Sequence, residues 1–171
     1  MDFAILRFEA PLMSFGGPVT SADYRPTGRF PRLSMITGML ANALGYDQSE
    51  FKRHQELQDR ISYAVREDVE GQVIEDFHTV RLNPDDDHDV DPHRMNPDKR
   101  GWTTWSVVDD RNEHKNITSE REYLADAAYT IALRVCAATA SEVLEAFRQP
   151  SRPLYIGRKC CLPSAPLAKR P

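Results

Sequence analysis

The feature that most constrains this chain is a gap in its hydrophobic pattern. From Arg81 to Thr118 no apolar periodicity of either kind survives. The stretch holds three prolines, three of the five histidines (His88, His93, His114) and the acidic run Asp85 to Asp91. Compact domains rarely carry a structureless connection of nearly forty residues unless it is functional or disordered. The core must therefore be assembled from two separated pieces, residues 1–80 and 119–171, with 81–118 inserted between them. At 171 residues, the two pieces suffice for one well-buried domain.

The first piece opens with Phe3-Ala4-Ile5-Leu6-Arg7-Phe8, a run of strand formers stopped by Pro11. Ile36, Met39, Leu40, Ala43 and Leu44 recur at helical spacing, which predicts a helix capped by Ser34 and closed by Gly45. A weaker helix is expected over 49–60. Ile61 to Val65 and Val73 to Val80 alternate on either side of Glu70-Gly71, which predicts a β-hairpin. In the second piece, Arg121 to Asp126 and Ala128 to Val135 read as one long strand. Ser141 is expected to cap a final helix marked by Val143, Leu144 and Phe147. Arg152 to Cys160 reads as a last short strand with a Gly-Arg loop. The order β-α-β-β-β-α-β fits an α+β, ferredoxin-like sandwich related to the RNA-recognition fold.

Charge is sorted along the chain. Residues 25–32, Arg-Pro-Thr-Gly-Arg-Phe-Pro-Arg, hold three bases and no acid, and residues 146–171 hold six bases and no acid. These nine of the 22 basic residues leave 13 against all 26 acids, so the remainder of the chain is at −13. Such polarisation is expected when one face meets phosphate and the others do not. Arg25, Arg29 and Arg32, on a stiff loop before a helix N-terminus, have the guanidinium forks and backbone N–H groups that grip phosphate oxygens. Gly157, Arg158 and Lys159 form a candidate second clamp. Within the insertion, Lys99, Arg100, Trp102 and Trp105 combine charge with aromatic surface, suited to backbone contact plus stacking or to a protein interface.

Other chemistries find little support. Three cysteines, two adjacent (Cys160, Cys161), make no disulfide framework, and no zinc-ligand spacing appears. Asp85 to Asp91 lacks the Gly and Glu positions of a calcium loop and reads as a solvated segment. No metal or cofactor is expected. No apolar run reaches membrane-spanning length and the N-terminus lacks a signal-peptide layout, so a cytoplasmic location is expected. His78 invites a general-base role, but its place in strand alternation reads as structural. Tyr24, Tyr123 and Lys115 complete a metal-independent nuclease site only if the fold brings them together.

Three segments together resemble the CRISPR-associated protein five family, the CasD-type subunits of type I-E Cascade complexes. They are Arg25 to Pro31 leading into the Ser34–Gly45 helix; Asp76-Phe77-His78-Thr79-Val80; and Arg121 to Ala127, followed at a distance by Tyr155-Ile156-Gly157-Arg158-Lys159-Cys160-Cys161-Leu162. The resemblance implies a ferredoxin-like core that caps the 5′ handle of CRISPR RNA (crRNA), with a thumb hairpin leaving the core at 81–118. It implies contacts to the neighbouring backbone subunit and the large subunit, with target DNA read through guide pairing. It implies a structural RNA binder here, whereas a sister subtype cuts precursor RNA itself. Family members generally continue past the Gly-Arg-Lys-Cys-Cys region, while this sequence ends at Pro171. A ferredoxin-like interaction module without RNA is the reading that leaves the charge segregation unexplained.

Overall fold

The computed structural model describes residues 3–18, 23–80, 117–136 and 138–168. Among them the chain forms β1 (Ala4–Glu9), β2 (Leu12–Met13), β3 (Tyr24–Arg25), α1 (Leu33–Ala43), α2 (Phe51–Asp59), β4 (Ile61–Val69), β5 (Gln72–Val80), β6 (Ile117–Ala125), β7 (Ala128–Val135) and α3 (Ala140–Arg148). This is an α+β architecture with two sheets. The first has the antiparallel order β1-β7-β4; the second is centred on β6, with β5 along one edge and short β2 and β3 sharing the other.

The expected hairpin of β4 and β5 does not form. β4 pairs with β7 and β5 pairs with β6, both antiparallel. The expected single strand 121–135 is likewise two strands, β6 and β7, broken at Asp126, whose φ is 56°. Together the four make a two-stranded ribbon whose paired halves, one in each sheet, meet at a bend. Its register runs from Ile61↔Val135 to Glu67↔Tyr129, slips by one residue around Asp68, and then holds from Val69↔Ala128 through Gln72↔Ala125 to Val80↔Ile117. Alternation marked the strands correctly, but the turn signal at Glu70-Gly71 marks a bend of the ribbon rather than its end. The expected insertion also overlaps β6, because Ile117 and Thr118 already pair with Val80 and Thr79.

Gly71 explains why the bend is tight. A Cβ there would lie 2.5 Å from the Ala125 carbonyl oxygen and 2.6 Å from the Ala127 Cβ. The corner of one strand is pressed against the corner of the other, and no side chain fits between.

Below the bend, alternation sorts the ribbon cleanly. Ala4, Leu6 and Phe8 face inward with Tyr129, Ile131 and Leu133, all fully buried. They meet the apolar side of α1 (Ile36, Met39, Leu40) and of α3 (Val143, Phe147). Each of the Leu, Ile, Phe, Met and Val side chains among them contributes about 1.5–3 kcal/mol through burial. Residues 164–168 lie along β1: Ser164 N–H donates to the Glu9 carbonyl and Arg7 N–H to the Leu167 carbonyl, both at 2.8 Å.

Both helix starts differ from the expected ones. α1 begins at Leu33 with Arg32 as its N-cap residue and no side-chain cap. The buried Pro31, whose carbonyl accepts the Tyr63 hydroxyl at 3.3 Å, brings the chain in two residues early. α3 is capped by Thr139, not Ser141. Thr139 and Glu142 form a reciprocal capping box, the Glu142 N–H donating to the Thr139 hydroxyl and the Thr139 N–H to the Glu142 carboxylate, an arrangement worth about 1 kcal/mol. Gly45 closes α1 at φ 79°, as its sequence position predicts.

Replacing Gly71 with Val should force the two corners of the ribbon apart. Expected is a loss of about 3 kcal/mol, seen as a fall in melting temperature of roughly 6–12 °C. A shift below roughly 2 °C would show that the close approach is not needed.

Candidate nucleic-acid interface

The two basic blocks, more than a hundred residues apart in sequence, meet across β6. The first is held by a carboxylate. Glu122 accepts the Tyr24 hydroxyl on one oxygen and the Thr27 N–H on the other at 3.0 Å. The Thr27 hydroxyl in turn accepts the Phe15 N–H at 3.0 Å, and Gly28 N–H donates to the Gly16 carbonyl at 2.9 Å. Loop 24–30 is thereby fixed to the sheet and to the strand-exit loop beneath it. The Tyr24 hydroxyl, donating to Glu122, has its pKa pushed up to about 12, chiefly by that hydrogen bond.

The second block is seated on the same strand. No strand forms over residues 152–160; the segment is an irregular loop. Its sharpest point is Gly157, at φ 104°, where a Cβ would lie 1.7 Å from the Ser14 carbonyl oxygen. Ser14 N–H donates to the Ile156 carbonyl and Ile156 N–H to the Cys161 carbonyl, closing the loop. The backbone approach expected at Gly157 is thus used against Ser14. Arg158 then straps two strands together, donating to the Glu122 carbonyl and to the Arg25 carbonyl, each at 2.8 Å. Its guanidinium lies over the Tyr123 ring, 4.6 Å from the centroid, and Cys160 Sγ sits 3.5 Å from the Tyr123 hydroxyl.

The structure divides the arginines into two groups. Arg29 is engaged: its Nη2 lies 2.6 Å from Glu67 and 3.3 Å from Glu70, and its carbonyl accepts the buried Tyr129 hydroxyl at 2.8 Å. Arg158 is engaged by the two carbonyls. Arg25 is exposed, and its parallel-register neighbour Arg121 is half-buried on the same face. Neither has an ion-pair partner among the described residues. Like charges opposite on paired strands repel, and Asp76, opposite Arg121 on β5, lies 2.8 Å from His78 rather than in an ion pair with Arg121, so the pair favours an added anion. Arg121 was missed in the sequence because a single Arg between two glutamates carries no local signal; only the register with Arg25 reveals it. Lys159 and Arg32 are both exposed, the latter at the uncapped start of α1, whose first turn holds no acid. Lys99, Arg100, Trp102 and Trp105 lie outside the described residues.

The second sheet has two unlike faces. One carries Arg25, Arg121, Tyr123, Asp76 and His78, with His78 Nε2 2.8 Å from Asp76 Oδ2. The other carries Tyr24, Glu75, Glu120 and Glu122. The possible nuclease residues are therefore not brought together: Tyr24 lies on the opposite face from His78 and Tyr123, and Tyr123 is buried beneath Arg158. Lys115 lies outside the described residues.

Residues 3–171 match the family model described as CRISPR-associated protein (Cas_Cas5). The CRISPR system Cascade subunit CasD of Escherichia coli (strain K12) is 31% identical over 177 residues, covering 97% of this chain and 69% of that protein. Two solved structures, named "CRISPR RNA-guided surveillance complex" and "Crystal structure of Cas protein", superpose with TM-scores of 0.69 and 0.61. Both are 24% identical and cover 98% of this chain, which spans 62% of each of theirs.

The Arg29–Glu67 contact ties the basic loop to the ribbon and gives it a pH signature. The Arg29 hydrogen bond holds the Glu67 carboxyl below its ordinary range, against the opposing effect of burial. A carboxyl depressed in the folded state stabilises above its unfolded pKa, and that stability is lost as pH falls through the folded value. Glu67→Gln should therefore lower the melting temperature at pH 7, with the difference from the parent closing below about pH 4. A pH-independent difference would mean that packing, not the ion pair, holds the loop.

Proposed function

We propose that this chain, which belongs to the CRISPR-associated Cas5 family, is a non-catalytic subunit of an RNA-guided Cascade surveillance complex that grips the 5′ handle of crRNA. The observation that carries the reading is the Arg25–Arg121 pair, two guanidinium groups in register and in no ion pair among the described residues, although Asp76 stands opposite Arg121 on β5, in a chain whose net charge is −4. RNA phosphates supply the anion that the pair lacks. The exposed Lys159 and Arg32 add further positive charge for the RNA backbone. Lys99, Arg100, Trp102 and Trp105 continue it along the handle through phosphate contacts and base stacking.

Arg29 and Arg158 act mainly by holding the loops that present Arg25. Their remaining exposure lets them add charge to the field around it. Gly157 serves by seating the second loop on Ser14. The first sheet, three antiparallel strands with α1 and α3 against one face, is the part of the fold closest to a ferredoxin-like core. As a Cascade subunit the chain docks the neighbouring backbone subunit and the large subunit, and target DNA is read by guide pairing. No helix among the described residues is long and apolar enough to cross a membrane, and a cytoplasmic site of action fits the role.

Precursor cleavage by this chain is the competing reading. A metal-independent cut needs a general base and a nucleophile-activating group on one face. The separation of Tyr24 from His78 and the burial of Tyr123 favour the non-catalytic role.

Labelled repeat RNA incubated with the purified chain, with and without EDTA, should be retained uncut. Arg25→Ala and Arg121→Ala should each weaken binding and reduce the slope of log affinity against log salt by roughly 0.7. Unchanged affinity at physiological salt for both variants would overturn the assignment. A single metal-independent cut would make the chain the processing nuclease.

A further inference from the structure

The RNA grip uses one face of the second sheet and leaves the other unexplained. On that face β5 presents Val73, Glu75, Phe77 and Thr79, opposite Leu124, Glu122, Glu120 and Thr118 of β6, and β3 adds Tyr24. Three carboxylates stand there, Glu75 and Glu120 beside a Glu122 that already accepts Tyr24 and Thr27, and among the described residues of these strands there is no base. Two large apolar side chains remain open to solvent: Val73 is 60% exposed and Phe77 61%. β5 is also an edge strand, paired among the described residues only with β6, so the N–H and C=O groups on its far side have no ladder.

Each property alone is ordinary; their coincidence is not. A nine-residue exposed edge strand with apolar side chains and neither Pro nor Lys is a template for pairing with another chain. Exposed Phe and Val beside charged groups have the composition of a protein interface. RNA is the wrong occupant, because its phosphates would face Glu75, Glu120 and Glu122 without a cation between. A protein segment carrying Lys or Arg beside apolar residues matches both features: its cations meet the carboxylates and its apolar side chains cover Phe77 and Val73.

We propose that the outer edge of β5 and its acidic face dock an extended, basic and apolar segment of a neighbouring protein subunit, added as a further strand. The ribbon above the bend then works as a two-sided element, with RNA on the Arg25–Arg121 face and protein on the Glu75–Phe77 face. This inference rests on the complex membership proposed above and names the surface through which one partner is held. The state of Glu75 agrees with it. The Glu120 charge, a hydrogen bond to Glu120, some loss of hydration and the Glu122 charge hold its carboxyl above the ordinary range. An incoming cation relieves that repulsion.

The test uses the whole chain, co-expressed with the guide RNA and the protein subunits of its complex. Photoreactive p-benzoylphenylalanine replaces Phe77, and the purified complex is irradiated. Expected is a crosslink to a protein subunit, mapped by mass spectrometry to a segment holding Lys or Arg. The double variant Phe77→Ser, Glu75→Gln should reduce recovery of that subunit at least tenfold. Its RNA affinity, measured on the isolated chain, should stay within twofold of the parent. A crosslink to RNA, or none in an assembled complex, would overturn the inference while leaving complex membership intact. Failure of the unmodified chain to enter the complex would overturn the membership reading and this inference with it.

Discussion

One hydrogen-bonded ladder organises this molecule. The pairing of 61–80 with 117–135 belongs to both sheets. Below the bend it supplies two of the three strands that bury the core against α1 and α3. Above the bend it supplies the platform on which both basic loops sit. The one-residue slip at Asp68 and the contact of Gly71 with Ala125 turn the ribbon through a corner at which Glu70, Gly71, Asp126 and Ala127 leave the ladder between its two paired halves. Edge strands, loops and helices are arranged around that ladder: β1 lies against β7 and residues 164–168 against β1, while β2 and β3 lie against β6.

The site follows from where this ladder spends its polar groups. Glu122 reaches from one face to hold loop 24–30, while its backbone carbonyl accepts Arg158. One residue of β6 thus anchors both basic loops. The cost of fixing the loops is met by charge-assisted hydrogen bonds, which are stronger than neutral ones. Arg25 and Arg121 are the arginines that this scaffolding leaves outside any ion pair among the described residues. Arginine clustering in sequence therefore does not tell which guanidiniums the fold leaves outside its own ion pairs and hydrogen bonds. Arg29 and Arg158 are largely consumed in building the surface, and Arg121 joins it unannounced.

Much of this was legible in the residues. The first strand, both N-terminal helices, the alternating segments and the meeting of two acid-free basic blocks follow from local periodicity and charge. What the sequence hid was non-local. Strand alternation at 61–65 and 73–80 says that both are strands but not whom they pair with, and a Gly turn suits a bend as well as a hairpin. Asp126 lacks the glycine that usually marks a left-handed residue, so the break between β6 and β7 left no trace. Ser34 and Ser141 are good caps by composition. The helix starts were decided instead by Pro31 held against Tyr63 and by the Thr139–Glu142 box. The Gly157 loop resembles a strand because Leu154 and Ile156 are apolar, yet Gly157 must turn against Ser14.

The ladder also dictates how the molecule can come together. Its partners lie 37 residues apart at Val80↔Ile117 (117 less 80) and 74 apart at Ile61↔Val135 (135 less 61). Loop closure costs more as the loop grows, though slowly. Pairing therefore starts most cheaply at the exposed upper end, where little apolar surface is buried, and proceeds inward to the core. The rungs that form first are worth least and those worth most form last, so the barrier to folding is set by entropy lost before burial compensates it. A domain wired in this way belongs with slow, high-contact-order folders despite the three helices among its described residues. During synthesis it stays unassembled until the last strand of the ribbon, β7, has emerged.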